Sequence, residues 1–270
     1  MIPAHPEAIE RAADVRVALR LGDDPVPDII TVLEQRGLAV FVEPDPRAAE
    51  GAYFPGERIQ AVFLNGTLPL PRLRSVAAHE LGHHEFGDAP VLDQAISNQS
   101  EASKADADLK ERRADAFAMN FLMPESGIAA RLGLNAAIDT AVVLRLATQF
   151  GVTYAGMVER LEELGVLAPR DQRRLLANHA AALSSDYRHV DVRQLRLPAD
   201  YVRRAFDAYG SAKISFGRLF ELLHLPAGAG QERALLDQLR ENDLLQPEDS
   251  NRFQRQRRSP SKPGRSRAGI

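Results

Sequence analysis

The chain has 270 residues, 44% hydrophobic and 26% charged, with a net charge of −3; this is enough apolar material for one large or two small domains and gives no general attraction for nucleic acid. It has no cysteine, which excludes disulfides, CxxC zinc sites and a thiol nucleophile, so any metal must be bound through His, Asp or Glu. No hydrophobic run approaches the roughly 20 residues needed to span a bilayer, and the opening MIPAHPEAIERAADV lacks the apolar core of a signal peptide, so a cytoplasmic protein is expected.

Residues 6 to 21 read as an amphipathic helix. Pro25-Val26-Pro27-Asp28 opens a second helix that runs to about Gln35, with Pro27 near its first turn, and Gly37 ends it. Leu38 to Val42 reads as a buried strand, followed by the turn region EPDPRAAEG. Ala52 to Phe54 and Arg58 to Leu64 form a hairpin around Pro55-Gly56, and Asn65-Gly66 terminates the sheet.

The next stretch, Ala77 to Phe86 (AAHELGHHEF), contains His79-Glu80-Leu81-Gly82-His83, an HExxH motif. On an α-helix, positions i and i+4 differ by about 40° in rotation and about 6 Å along the axis, so His79 and His83 project from the same side. Two imidazoles at that separation can each give a nitrogen to one Zn2+, and Glu80 can reach a water at the ion as general base. Arg72 to Ala78 has neither glycine nor proline, and Leu73, Val76, Ala77, Leu81 and Phe86 recur at the spacing of a helix with one face in a core. Gly82 leaves room for metal and substrate, or packs closely against a neighbouring element. His84 points about 100° away from His83 and is not a ligand candidate.

Gly87 to Asp106 is polar and rich in small residues and reads as a mobile loop over the cleft. Asp106 to Pro124 then reads as a helix in which Glu111, Ala114, Asp115, Ala118 and Leu122 share a face flanked by Phe117 and Phe121. A catalytic zinc needs a third protein ligand and an open position. We assign Glu111 as that ligand and Asp115 as the acceptor that orients His79 through its other ring nitrogen. An i,i+4 carboxylate pair on a solvated helix beside Arg112 and Arg113 fits the same spacing, and Asp106, Asp108 and Asp115 are the other carboxylates within reach.

HELGHH followed by ERRADAFAMNFLMP resembles the ImmA/IrrE family of metallo-endopeptidases, whose members carry HELGH and a downstream glutamate in a segment ending FA-x-x-L-L-M-P. Phe117-Ala118-Met119-Asn120-Phe121-Leu122-Met123-Pro124 departs from that pattern at Phe121, where leucine or isoleucine is usual. The resemblance covers roughly Pro25 to Pro169 and places the ligand glutamate on Glu111 and the family's acid or amide on Asp115. It implies an α+β fold, mainly helical, with a small antiparallel or mixed sheet beside the HExxH helix and helix-turn-helix-like helices after it. An exposed edge strand in such proteases can align an extended substrate by backbone hydrogen bonding, and Arg58 to Leu64 is the candidate for that edge. An ordinary core hairpin fits the same residues.

After Pro124, Ile128 to Leu134 and Thr140 to Gly151 read as helices, and LATQFGVTYAGMVERLEELG resembles a helix-turn-helix with Gly151 in the turn and Thr153 as cap. Its second helix offers Glu159, Glu162 and Glu163 against Arg160 alone, which suits a structural or partner-docking role better than a phosphate-facing one. Arg170 to Tyr187 reads as a helix, Asp186 to Leu197 as a connection, and the stretch after Leu197-Pro198 as two helices around Ser211 to Ser215, with another at Gln231 to Leu245. His179, His189 and His224 have no spaced partners. The expected division is a peptidase domain over 1–169 that includes the helix-turn-helix-like element at about 140–166, a helical region over 170–250, and a basic tail over 251–270. That tail carries seven Lys and Arg and no acid and reads as disordered and solubilising, with weak, salt-sensitive attraction to DNA or an acidic partner as the other reading.

The sequence therefore points to a zinc-dependent endopeptidase: Zn2+ (or Mn2+ in its place) on His79, His83 and Glu111, with Glu80 as base. The resemblance implies cleavage of a helix-turn-helix repressor of the Xre type, releasing genes of a stress response or a mobile element. The alternative is a DNA-binding or partner-binding regulator, or a toxin-antitoxin component, with a structural or vestigial metal site. Glu80 discriminates between them, since a structural site needs no general base. No membrane association is expected.

Overall fold

The computed structural model describes residues 5–45, 47–88, 101–132, 137–177, 196–211 and 213–224. The helix expected at Gln231 to Leu245, the tail and the whole of 178–195, with His179 and His189, lie outside those residues. The chain divides into two compact units, one ending at Arg196 and one beginning at Leu197.

Helix α1 (Pro6–Ala18) opens with proline in its first turn and buries Ala8, Ala12 and Val15. Helix α2 (Ile29–Gln35) is capped by Asp28, whose carboxylate accepts the Ile30 N–H at 3.0 Å. Pro27 thus precedes the cap and lies outside the first turn. Gly37, at φ +87°, turns the chain into β1 (Ala39–Glu43).

Strands β2 (Gly51–Pro55) and β3 (Gln60–Asn65) form the expected hairpin, but the sheet order is β1-β3-β2. β3 lies parallel to β1, with Val40 opposite Val62, and antiparallel to β2, with Tyr53 opposite Val62. The expectation that Arg58 to Leu64 is the exposed edge is therefore wrong, because both sides of β3 are used in pairing. The edge of the hairpin is β2.

Helix α3 (Leu70–Phe86) runs through the HExxH motif and ends at Gly87, whose left-handed φ of +65° lets its N–H close on the carbonyl of His83. Helix α4 (Glu101–Leu122) packs along it. α4 starts earlier than expected, so residues 101–106 belong to the helix and not to a loop; Glu101 to Met123 contains no glycine or proline and carries six alanines. Close packing accounts for Gly82: a Cβ there would stand 3.1 Å from Ala114 Cα and 3.2 Å from Phe117 Cδ1. Phe117 and Phe121 are fully buried and stacked at 5.6 Å. Two buried arginines satisfy the carbonyls at the end of α4: Arg16 donates to Phe121, and Arg160 donates to Met123 at 3.1 Å and to the Asn120 side chain at 2.8 Å.

Helix α5 (Glu125–Leu132) follows Pro124. Helices α6 (Thr140–Phe150) and α7 (Tyr154–Glu163), capped by Asp139 and Thr153, bend by 104° about Gly151 at φ +64°. Arg74 of α3 donates to the Gly151 carbonyl at 3.0 Å, tying this turn to the HExxH helix. Helix α8 (Pro169–Ala177) joins the same core through Leu175. The second unit contains α9 (Ala199–Gly210) and α10 (Phe216–Leu222), which pack Val202, Ala205 and Phe206 against Leu219 and Leu223. His224 follows α10 at φ +53°. The fold class is α+β, mainly helical with a three-stranded mixed sheet, and among the described residues no single helix is long and apolar enough to cross a membrane.

Candidate metal centre

The i,i+4 spacing on α3 brings His79 Nε2 and His83 Nε2 to 3.0 Å of each other. Glu111, one turn before Asp115 on α4, reaches across with Oε2 at 3.2 Å from His79 Nε2 and Oε1 at 3.5 Å from His83 Nε2. Donors held about 2.0 to 2.1 Å from a tetrahedral ion stand about 3.3 Å from one another, so the two ring nitrogens and a Glu111 oxygen fit a single ion. His79, His83 and Glu111 thus form a group able to hold a metal ion.

Each histidine is gripped through its other nitrogen. His79 Nδ1 lies 2.8 Å from Asp115 Oδ1, the pairing expected from the sequence. His83 Nδ1 lies 3.0 Å from Asp88 Oδ2, a partner that sequence reasoning missed by assigning Asp88 to a mobile loop. The left-handed turn at Gly87 folds the chain back so that the Asp88 N–H donates to the His83 carbonyl at 3.0 Å while its side chain returns to the same residue's ring. Asp88 is buried, and its second oxygen accepts from Arg113 at 2.7 Å. Arg113 in turn lies over the Phe86 ring at 4.2 Å. The Gly-Asp pair directly after the helix was the available signal. His84 points elsewhere, edge-on to the Tyr53 ring at 5.7 Å.

Burial pulls the His79 ring down, but hydrogen bonds to Asp115 and Glu111 outweigh it and push the pKa up to about 10. Glu80, buried beside the histidines, is raised to about 7, first by burial, with the Glu111 charge adding to the rise and His79 and a backbone hydrogen bond at Tyr53 opposing it. A carboxyl poised there can both accept and return a proton near neutral pH.

Glu80, His79, Glu111 and Asp115 face a cleft of about 670 Å³. Its near wall is the start of β2: a Cβ on Gly51 would collide with Val76 and stand 2.8 Å from Glu80 Oε1, so only glycine allows the strand to lie over the base. Arg72 bridges to Glu50 with Nε at 3.1 and 3.2 Å from the two carboxylate oxygens, beside the same strand. The far wall comes from the start of α7, through Thr153, Ala155, Gly156 and Glu159. Arg160, the lone basic residue of α7, is buried, outside the cleft lining, and paired with Glu163 at 2.8 Å.

No curated protein matches this chain. Residues 33–162 match the family model Peptidase_M78, described as the IrrE N-terminal-like domain, a stretch that holds the sheet, both helices of the His-His-Glu group and most of the α6–α7 pair. Residues 33–162 are therefore an IrrE N-terminal-like domain, the domain that marks the ImmA/IrrE family of metallopeptidase-like proteins.

Proposed function

We propose that the protein is a zinc-dependent endopeptidase, with Mn2+ able to replace zinc, acting in the cytoplasm on a helix-turn-helix repressor of the Xre type. The observation that carries this reading is the placement of Glu80 in a cleft lined by His79 and Glu111, two members of a three-donor group spaced for one ion, under a strand edge. His79, His83 and Glu111 would hold the ion, which when bound supplies Lewis-acid activation of water and polarisation of the scissile carbonyl. Asp115 and Asp88 fix the orientation of the two rings. Glu80 takes the proton of the attacking water and delivers it to the leaving amine, a cycle for which a pKa near 7 is well matched. The free side of β2, next to Gly51, is positioned to align an extended peptide by strand addition across Glu80.

The choice of repressor as substrate follows the family likeness, since fold alone does not set substrate. The regulator reading, in which the helix-turn-helix binds DNA, draws no support from α7: its lone arginine is buried and its start forms a wall of the cleft. The test is to incubate the zinc-loaded protein with a purified helix-turn-helix repressor encoded beside its gene and sequence any new N-termini by mass spectrometry. Cleavage by the parent and loss of about 10²- to 10⁴-fold in Glu80→Gln with zinc retained are expected. Undiminished cleavage in Glu80→Gln would remove Glu80 as the base, and tight, chelator-insensitive binding to random-sequence DNA without cleavage would overturn the peptidase reading.

A further inference from the structure

The cleft continues beyond the metal-binding group along α4. Ala118, Met119 and Leu122 stand three, four and seven residues after Asp115 and so carry the wall about 4.5, 6 and 10.5 Å further along the helix axis. That part of the lining is apolar, and the start of α7 adds small residues, Ala155 and Gly156, and an exposed carboxylate, Glu159, close enough to Arg72 and Asp115 to feel their charges.

The other acids of the cleft are already engaged. Glu50 is held by Arg72, Asp115 by His79, and Glu111 by both ligand histidines, while Glu80 is the proposed base. Among the described residues no cation lies within ion-pair distance of Glu159. Partial burial in the cleft wall holds its carboxyl above the usual range, with the Asp115 charge adding to the rise and the attraction of the N-terminal amine and of Arg72 opposing it. A carboxylate that shares a cleft with the apolar side chains of Ala118, Met119 and Leu122 is complementary to a side chain with a long apolar stem and a cationic head. An acidic side chain there would be repelled, and an apolar one would leave the carboxylate desolvated without a partner.

We propose that Glu159 is the specificity residue of this cleft: it receives the charged head of a lysine or arginine of the peptide substrate, whose stem lies over Met119 and Leu122. The first turns of α7, the second helix of the helix-turn-helix element, thereby serve substrate selection and not groove reading. The inference rests on the peptidase reading above.

The experiment uses zinc-loaded full-length protein and internally quenched peptides that differ at one position on either side of the scissile bond, carrying Lys, Arg, Leu or Glu. At one of these positions kcat/KM for the Lys or Arg peptide should exceed that for the Leu peptide at least tenfold. In Glu159→Gln that ratio should fall towards one, and in Glu159→Arg the Glu peptide should become the preferred one. The same peptides, fluorescently labelled, are titrated against Glu80→Gln and against Glu80→Gln combined with Glu159→Gln, where the weaker binding of basic peptides should appear only in the second protein. Cleavage without a basic preference, or a preference that survives in Glu159→Gln, overturns the role of Glu159 and leaves the peptidase reading standing. Preferential binding of basic peptides that needs Glu159, with no cleavage of any peptide, supports the subsite and overturns the peptidase reading. Absence of the preference in both assays overturns the inference.

Discussion

Replacing Asp88 with asparagine separates the two jobs that its buried carboxylate performs. One oxygen lies 3.0 Å from His83 Nδ1 and the other accepts from Arg113 at 2.7 Å. An asparagine has a single acceptor oxygen, so one of these two donors must face an NH2 group. If the ring loses its partner, His83 is no longer held with Nε2 towards the metal, and the loss of an outer partner of this kind lowers metal affinity about 10- to 100-fold, or about 1.4 to 2.8 kcal/mol. If Arg113 loses its partner, breaking a buried pair costs about 3 to 5 kcal/mol at most. Arg113 retains Glu7 at 3.7 Å and the Phe86 ring, which places the cost at or below the lower end. The expected outcome for Asp88→Asn is a 10- to 100-fold weaker zinc affinity by competition against a chromophoric chelator, or a metal-free melting temperature lowered by several degrees, at about 2 to 4 °C per kcal/mol. A variant unchanged in both would refute Asp88 as the residue that orients His83.

Gly51→Ala places a methyl group against Val76 and 2.8 Å from Glu80 Oε1, so peptide cleavage should fall at least tenfold while zinc content by elemental analysis stays at the parent level; parent-level cleavage would mean that β2 does not position the base. The pH dependence of metal binding follows from His79. Its pKa in the metal-free protein is raised to about 10, so its proton stabilises that state fully below about 6.5, and the contribution is lost as pH rises through about 10. At pH 7.5 a metal entering at Nε2 must displace that proton. Calorimetry in buffers of different ionisation enthalpy should register release of about one proton per zinc, with affinity increasing from pH 6 to 8; no proton release would show that His79 is neutral before the metal arrives.

What the sequence could reveal depended on how local the determining contacts are. His79, Glu80 and His83 sit within one turn or so of a helix, so their convergence follows from the helical repeat. Glu111 and Asp115 lie on a second helix, and which face of α4 meets α3 is decided by the burial of Phe117 and Phe121, which their spacing anticipates. The position of β3 was not legible, because parallel pairing of β1 with β3 is a long-range choice that leaves no mark in the hairpin's own residues. Asp88 was hidden for a different reason. The glycine before it was the one local signal of a left-handed helix end, but the loop-like composition of the residues that follow masked the return of Asp88 to the preceding helix. The role of α7 was partly legible: its acidic surface argued against phosphate contact, but its place in the cleft depends on the buried Arg74 and Arg160 contacts across the core.

The most direct test of the central claim is the zinc content of the purified protein by elemental analysis, measured side by side for the parent and Glu111→Ala. A metal-dependent peptidase built on His79, His83 and Glu111 predicts about one zinc per chain in the parent and a marked loss in the variant. An equal zinc content in both would require a third ligand other than Glu111, and no zinc in the parent even after reconstitution with Zn2+ or Mn2+ would contradict the account.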